Sequence, residues 1–423
     1  MNKSKRLLLF AYFYPPLGGP AVQRPCKTVK YLTELGWQVD VITTQDIVYH
    51  SRDESLLSEC RHNRIFRTAS LDPMFLLNKL NKLLRLNTDK LYFRTGTSQK
   101  KSLKKLFPVD DKIGWLPFAI QAGRKALLTD RYDAVMVTCG PFSSALAARR
   151  IAKLGRLPFI MDYRDHWTLN NTTQQSGGFF FKLLQCLEKN CLKSASLVLT
   201  ATDLMKQALA QHFGQDLAAR IMTFYNGWDE ADFAGLSRSR QPDGKIRIVY
   251  TGTLYGDRPL AFFLRALQQI QQKNPQATFE LWLVGNFYTE THREVENSGI
   301  ADRVKFIGQQ SHKEAIQVML DADILLLVIG DEKHNWVVTG KLFEYLRSGR
   351  PILALAAQNS EAADILRRSG QHAIADIDDI DMIKARLTEL IALLQKNEFG
   401  FTVPQQYERS RQVRNLAERL ERV

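Results

Sequence analysis

The sequence predicts two doubly wound α/β domains, each a parallel sheet flanked by helices. Three observations predict them. Residues 7–44 read as strand, glycine loop, helix and strand; the same alternation restarts after a polar interval near residue 240; and 423 residues with 45% apolar content suffice for two cores. Buried parallel strands appear as unbroken apolar runs, and the helices between them carry a 3.6-residue period.

In the first domain, residues 7–12 read as a buried strand, 21–35 as a helix ended by Gly36, and 38–44 as the next strand. The alternation continues with strands at 134–138, 158–162 and 196–200 and a helix at 143–154. The pattern lapses between Trp228 and Lys245, where Pro242 and Gly244 fall in a polar stretch. A second series then gives strands at 246–250, 278–284, 304–307, 324–329 and 351–355. The expected boundaries are 1–228 for the first domain, 245–402 for the second, and 403–423 for a helix that packs back on the first. That helix carries Val413, Leu416, Ala417 and Leu420 on one side. Open sheets of this kind bind ligands at the carboxyl ends of their strands, so two of them imply a cleft.

An insertion at about 72–114 interrupts the first series. Leu76, Leu77, Leu80, Leu83 and Leu84 form an apolar stripe, with Lys79, Lys82 and Arg85 among nine basic residues against the single acid Asp89 between residues 79 and 105. Such a segment suits an anionic membrane surface, and equally a solvated helical excursion. The formal net charge of +14 favours anionic partners. Nucleic acid is disfavoured, because few aromatics interleave the basic residues and no helix-turn-helix or RNA-binding signature is present. The apolar N-terminal run lacks a small-residue cleavage pattern and reads as a strand, and 324–329 is too short to span a bilayer. Five scattered cysteines with no C-x-x-C pair read as reduced thiols, and the chain as cytosolic, on the inner face of the cell membrane if membrane-associated.

The densest chemistry lies at residues 337–355. Thr339 and Gly340 open a short helix that Gly349 closes, with Lys341 and Glu344 on one face. Backbone N–H groups beside a lysine hold phosphate, and a carboxylate one turn on suits the paired hydroxyls of a ribose. From spacing alone, an ordinary surface Lys and Glu would look the same. The loop Gly18-Gly19 allows close backbone approach. Neither it nor 252–256 supplies the G-x-G-x-x-G of a dinucleotide site, which disfavours a dehydrogenase.

Taken in order, Tyr14-Pro15-Pro16-Leu17-Gly18-Gly19-Pro20-Ala21-Val22-Gln23-Arg24, Asp162-Tyr163-Arg164-Asp165-His166-Trp167, Asn226-Gly227-Trp228-Asp229, Tyr250-Thr251-Gly252-Thr253-Leu254 and the 337–355 segment resemble the landmarks of GT-B glycosyltransferases of family 4. The resemblance covers nearly the whole chain. It implies a nucleotide-sugar donor held mainly by the second domain, an acceptor held mainly by the first, retention of configuration, and no metal or other cofactor. It assigns Gly18, Gly19, Gly252, Thr253, Arg258, Thr339, Gly340, Lys341 and Glu344 to the donor, and Asp162, Asp165, His166, Arg258 and Lys341 to catalysis. Retaining members are usually discussed as transferring on one face, the departing phosphate taking the acceptor's proton.

Two departures stand out. Thr253 occupies the place of a phosphate-binding Arg, leaving Arg258 near the usual Lys position. Trp336 replaces the first of two glutamates spaced by seven residues, so that Asp331, Glu332 or Trp336 itself must meet the sugar. The pairs Asp321/Asp323 and Asp376/Asp378 lack the loop context of a metal-bound diphosphate site, and the histidines, His312 and His334 among them, lack ligand spacing. The expected activity is sugar transfer from a nucleoside diphosphate to a hydroxyl acceptor, a lipid-linked or oligosaccharide one, in bacterial exopolysaccharide, O-antigen or capsule synthesis. A catalytically silent GT-B protein that binds a glycan or partner at the membrane is the rival, and a membrane-surface adaptor a third reading.

Overall fold

The computed structural model describes residues 4–49, 52–84, 109–169, 178–241, 243–254, 258–273, 278–396 and 399–423. They divide into two compact units, 1–225 with 409–423, and 226–408. The crossing expected between 228 and 245 thus falls at 225/226, and the polar interval belongs to the second unit. The C-terminal crossing falls at 408/409.

In the first unit, strands β1 (Arg6–Phe10), β2 (Gln38–Thr44), β3 (Arg64–Thr68), β4 (Ala134–Thr138), β5 (Phe159–Tyr163), β6 (Leu197–Thr200) and β7 (Ile221–Thr223) form one sheet in the order β3-β2-β1-β4-β5-β6-β7. Every pairing is parallel. Helices α1 (Pro20–Glu34), α2 (Ser55–Glu59), α3 (Pro73–Leu84), α4 (Leu116–Thr129), α5 (Ser143–Gly155), α6 (Gly178–Ser194), α7 (Asp203–Phe213) and α8 (Gln215–Ala218) fill the connections. Parallel strands need crossovers, and short helices supply them. The strand order reverses between β1 and β4, which places the switch point beside the Gly18-Gly19 loop.

The second unit repeats the design. Strands β8 (Lys245–Thr251), β9 (Thr278–Val284), β10 (Val304–Gly308), β11 (Ile324–Gly330), β12 (Ile352–Ala356) and β13 (Ile374–Ala375) run parallel in the order β10-β9-β8-β11-β12-β13. Helices α9 (Ala261–Lys273), α10 (Thr289–Glu296), α11 (His312–Leu320), α12 (Gly340–Ser348), α13 (Glu361–Arg368) and α14 (Ile380–Lys396) complete it. One core packs Phe263, Leu264 and Leu267 of α9 and Ile383, Leu387 and Leu390 of α14 against Ile248, Leu281 and Leu326 of the sheet. Here the order reverses between β8 and β11.

The last helix, α15 (Arg409–Leu420), belongs to the first unit and packs on α1. Its side chains Val413, Leu416, Ala417 and Leu420 are buried. The sequence reading missed β3, β7, β13 and α6: β3 is only half-buried, and β7 and β13 have three and two residues.

Two expectations need restating. Cys26 on α1 and Cys60 after α2 are joined in a disulfide with Cα atoms 5.2 Å apart, so these two are not the reduced thiols expected; separation in sequence does not prevent contact in the fold. In α3, Leu76 and Lys79 are exposed and Phe75 is buried, but the side chains of Leu77, Leu80, Lys82, Leu83 and Leu84, and all of Arg85, lie outside the described residues. Among the described residues no helix is long and apolar enough to cross a membrane.

Truncating Leu416, fully buried in α15, to alanine should destabilise the first unit by about 2–4 kcal/mol. Urea unfolding followed with reporters in each unit checks this, and an unaltered first-unit midpoint would contradict the packing described.

Candidate functional site

At the switch point of the second sheet, β8 ends at Thr251, whose N–H donates to the Tyr345 hydroxyl of α12 at 3.0 Å. Gly252 follows with φ +96° and donates its N–H to the Val284 carbonyl at 2.7 Å. At the end of β9, Gly285 has φ +135°, and a Cβ there would stand 2.6 Å from the Gly252 carbonyl oxygen. A Cβ on Gly252 would stand 2.9 Å from Cε of Lys341. Both positions take a backbone conformation that favours glycine, and at Gly285 a side chain would also meet the Gly252 backbone.

Lys341 fills the room these glycines leave. It is the second residue of α12; its Nζ donates to the Tyr250 hydroxyl at 2.5 Å and lies 4.0 Å from the centre of that ring. The Tyr250 hydroxyl in turn donates to the Thr253 carbonyl at 3.0 Å, which ties the loop after β8 to the lysine. Burial and the neighbouring Arg258 guanidinium pull the Lys341 ammonium down to about 7, against an opposing pull from Glu344. Two cations converging beside a helix start are costly alone and favourable around an anion. The α12 start is open: Thr339 stands at the N-cap without a capping hydrogen bond, its buried hydroxyl meets no partner, and a Cβ on Gly340 would meet nothing within 4 Å.

Glu344 lies one turn further along α12 and is held by His312, whose Nε2 is 2.9 Å from the carboxylate. The other ring nitrogen lies 3.8 Å from Asp232. His312 reaches this place because Ser311 and Glu314 form a reciprocal capping box that fixes the first turn of α11. Asp232 is placed by the Asn226-Gly227-Trp228-Asp229 motif. Asp229 caps the short turn Glu230–Phe233, and the Asn226 amide donates to the Val338 carbonyl at 3.2 Å, holding the loop before α12.

Other expected residues fall around this centre. Thr253 contributes its carbonyl, and Arg258 is half-buried close enough to act on Lys341. Trp336 is half-buried between the exposed Asp331 and Glu332 and the α12 start. Asp331 is engaged locally, accepting from Lys333 N–H at 3.2 Å and lying 2.8 Å from His334 Nδ1. Asp321 and Asp323 are occupied with other work: Asp321 accepts from the N–H groups of Ser239 and Arg240, and Asp323 accepts the N–H of Arg247 and pairs with Arg238 and Arg240.

In the first unit, Gly19 has φ +85° and starts α1, with Gly18 buried before it. Arg24 of α1 and Asp162 of β5 form a buried pair, each about 2% exposed, with Nε 2.9 Å and Nη2 2.6 Å from the carboxylate oxygens. Asp162 is thereby committed to holding α1. Arg164 donates to the carbonyls of Cys139, Ala21 and Gly140, fastening the loop after β4. Asp165 is exposed beside it. His166 is buried, and burial lowers its pKa to about 4, so it is neutral and weakly basic near pH 7. Buried Glu188 of α6 holds the end of this loop, accepting from the Tyr163 hydroxyl and from Thr168, whose N–H is 3.1 Å away. A separate depression of about 700 Å³ in this unit, lined by Arg6, Gln38, Asp130 and Asp133, lies at the amino ends of the strands, away from the switch point.

Sequence reasoning missed Tyr250, His312, Asp232 and Glu188. The Ser311-x-x-Glu314 box was a visible signal for where α11 starts, though not for what its first residue would face.

Comparisons with known proteins agree with this layout. Residues 18–227 match the family model described as Glycosyl transferase 4-like domain, and residues 245–392 match Glycosyl transferases group 1. Sequence comparison with curated proteins gives no match. Among solved structures, sucrose-phosphate synthase from Thermosynechococcus elongatus superposes with TM-score 0.69 at 13% identity, covering 99% of this chain and 98% of that one. The lipopolysaccharide outer core galactosyltransferase WaaB gives 0.59 at 14%, covering 99% of each. A UDP-GlcNAc 2-epimerase from Neisseria meningitidis, solved bound to UDP-GlcNAc, gives 0.57 at 13%, covering 99% of this chain and 100% of that one. At these identities the likeness shows the fold alone, and the fold serves epimerases as well as transferases.

Three outcomes follow from the geometry. A diphosphate should restore the charge on Lys341, so calorimetry of nucleoside diphosphate binding in buffers of different ionisation enthalpy should show uptake approaching one proton at pH 8 and none at pH 6. Lys341 also binds its proton less readily folded than unfolded. Its cost to stability is complete below pH 7 and disappears as pH rises towards 10.5, so Lys341→Met should raise Tm most in acid. Replacing His312 with alanine releases Glu344, and nucleotide Kd should rise roughly tenfold with Tm nearly unchanged; an unaltered Kd would contradict the positioning role.

Proposed function

The chain belongs to the GT-B glycosyltransferases of the family-4-like type, and from that premise we propose that it moves a sugar from a nucleoside-diphosphate donor to a hydroxyl acceptor with retention of configuration. The observation that carries this reading is the placement of Lys341 against Gly252, with Arg258 beside it and the open start of α12 next to both. A diphosphate gathers negative charge as the bond to the sugar carbon breaks, and these groups are fixed where they would meet it. Glu344, held by His312, suits the ribose hydroxyls.

In the proposed reaction, the bond between the anomeric carbon and the phosphate oxygen breaks and a bond to the acceptor oxygen forms on the same face. The acceptor proton passes to the departing diphosphate. The state of the first unit supports this route, because Asp162 is engaged by Arg24 and His166 is only weakly basic. No divalent metal takes part in this scheme; of the two D-x-D pairs, Asp321 and Asp323 are engaged by Ser239, Arg238, Arg240 and Arg247. The acceptor is a lipid-linked or oligosaccharide saccharide of bacterial cell-surface polysaccharide synthesis. The exposed Leu76 and Lys79 of α3 suit attachment at the membrane surface.

Incubation with UDP-, GDP- and ADP-sugars and a membrane-lipid extract, with free nucleoside diphosphate and lipid-borne label both measured, tests the reading. Turnover with one donor, unchanged by EDTA and giving a product of retained anomeric configuration by NMR, is the expected result. Lys341→Met should lower kcat by about a hundredfold or more, and Glu344→Ala should mainly raise the donor KM. Nucleotide binding without turnover under any condition would favour a glycan-binding protein instead.

A further inference from the structure

Helix α6 is anchored at one end and bare at the other. In its C-terminal half Glu188, Cys191 and Leu192 are buried, and Glu188 grips the Tyr163 and Thr168 ends of the loop that carries Asp165 and His166. Its first turns instead present large apolar side chains to solvent. Phe179 is 78% exposed, Phe180 65% and Leu183 36%. Isolated exposed apolar residues need no explanation, but two adjacent phenylalanines with a leucine one turn on make a patch.

Along α6 the exposed charge is one-signed. Lys182, Lys189 and Lys193 of α6 are exposed, and the only acid of the helix is the buried Glu188. Aromatic rings at the level of the headgroups, with lysines reaching the phosphates, are how a helix lies in a membrane interface. A second copy of the chain would fit less well. A symmetric contact through the same patch brings lysines onto lysines.

We propose that the Phe179-Phe180-Leu183 end of α6 inserts into the interface of an anionic bilayer, with Lys182, Lys189 and Lys193 on the headgroups. This is a docking element separate from α3. Because Glu188 couples the helix to the Asp165-His166 loop, docking sets that loop at the lipid surface, where a lipid-linked acceptor resides. That last meaning rests on the function proposed above, whereas the docking itself does not.

The cysteines supply the test. Cys26 and Cys60 are bonded to each other, Cys139 and Cys191 are buried with burial raising their thiol pKa, and Cys186 is exposed on α6. A maleimide dye sensitive to polarity therefore reports from Cys186. On mixing the labelled full chain with vesicles of phosphatidylglycerol and phosphatidylethanolamine, the emission should shift to the blue and be quenched by lipids brominated in their acyl chains. Phosphatidylcholine vesicles should give little change. The double variant Phe179→Ser/Phe180→Ser, its fold checked by circular dichroism, should lose about tenfold or more in vesicle partitioning. Co-sedimentation with unchanged Cys186 emission would overturn the proposal and leave α3 as the attachment. Absence of co-sedimentation would overturn it too. So would a blue shift that appears without lipid and grows with protein concentration, which would mark self-association. None of these outcomes depends on sugar transfer, so the docking and the activity stand or fall separately.

Discussion

Gly252 and Gly285 end neighbouring strands with their backbones in contact, and Lys341 occupies the space where a side chain on Gly252 would be. Everything else in the second unit's site is arranged around that contact. The Tyr250 ring lies under the lysine, its hydroxyl closes the loop after β8, and Tyr345 fixes the strand end from α12. A larger residue at either glycine would displace the lysine or part the strands, and with them the start of α12. Pre-organisation here has an electrostatic side: burial confines Lys341 beside the Arg258 guanidinium, an arrangement costly for two cations.

The first unit spends its charges differently. Its most buried ion pair among the described residues, Arg24 with Asp162, joins α1 to β5. Breaking such a pair by removing one partner leaves an uncompensated buried charge, so its mutants report on folding as much as on chemistry. Arg164 and Glu188 likewise hold backbone in place. Beside them in the loop after β5 stands one exposed carboxylate, Asp165.

The two parallel sheets were legible because their strands are continuous apolar runs, as in β11 and β12, where every residue is buried. The start of α12 was legible for a similar reason: Gly340, Lys341 and Glu344 stand within one turn, and local spacing determines which way they face. The partners that give those residues their character were not legible. Tyr250 is 91 positions from Lys341, His312 is 32 from Glu344, and Arg24 is 138 from Asp162. Such pairings arise from the strand order, which propensity does not encode. The disulfide between Cys26 and Cys60 was hidden in the same way.

The course of the chain carries one more consequence. The first unit is discontinuous, since α15 at the far end of the sequence covers α1 near the beginning, while the second unit is a single uninterrupted segment. On a ribosome the first sheet emerges before the second, yet its α1 face stays bare until α15 appears. The second unit is complete before that and can fold while its predecessor waits. Trp228, which donates its N–H to the Tyr407 carbonyl and bridges Glu408, then brings the outgoing segment alongside the incoming one. The part of the protein made earliest is therefore the last to be finished.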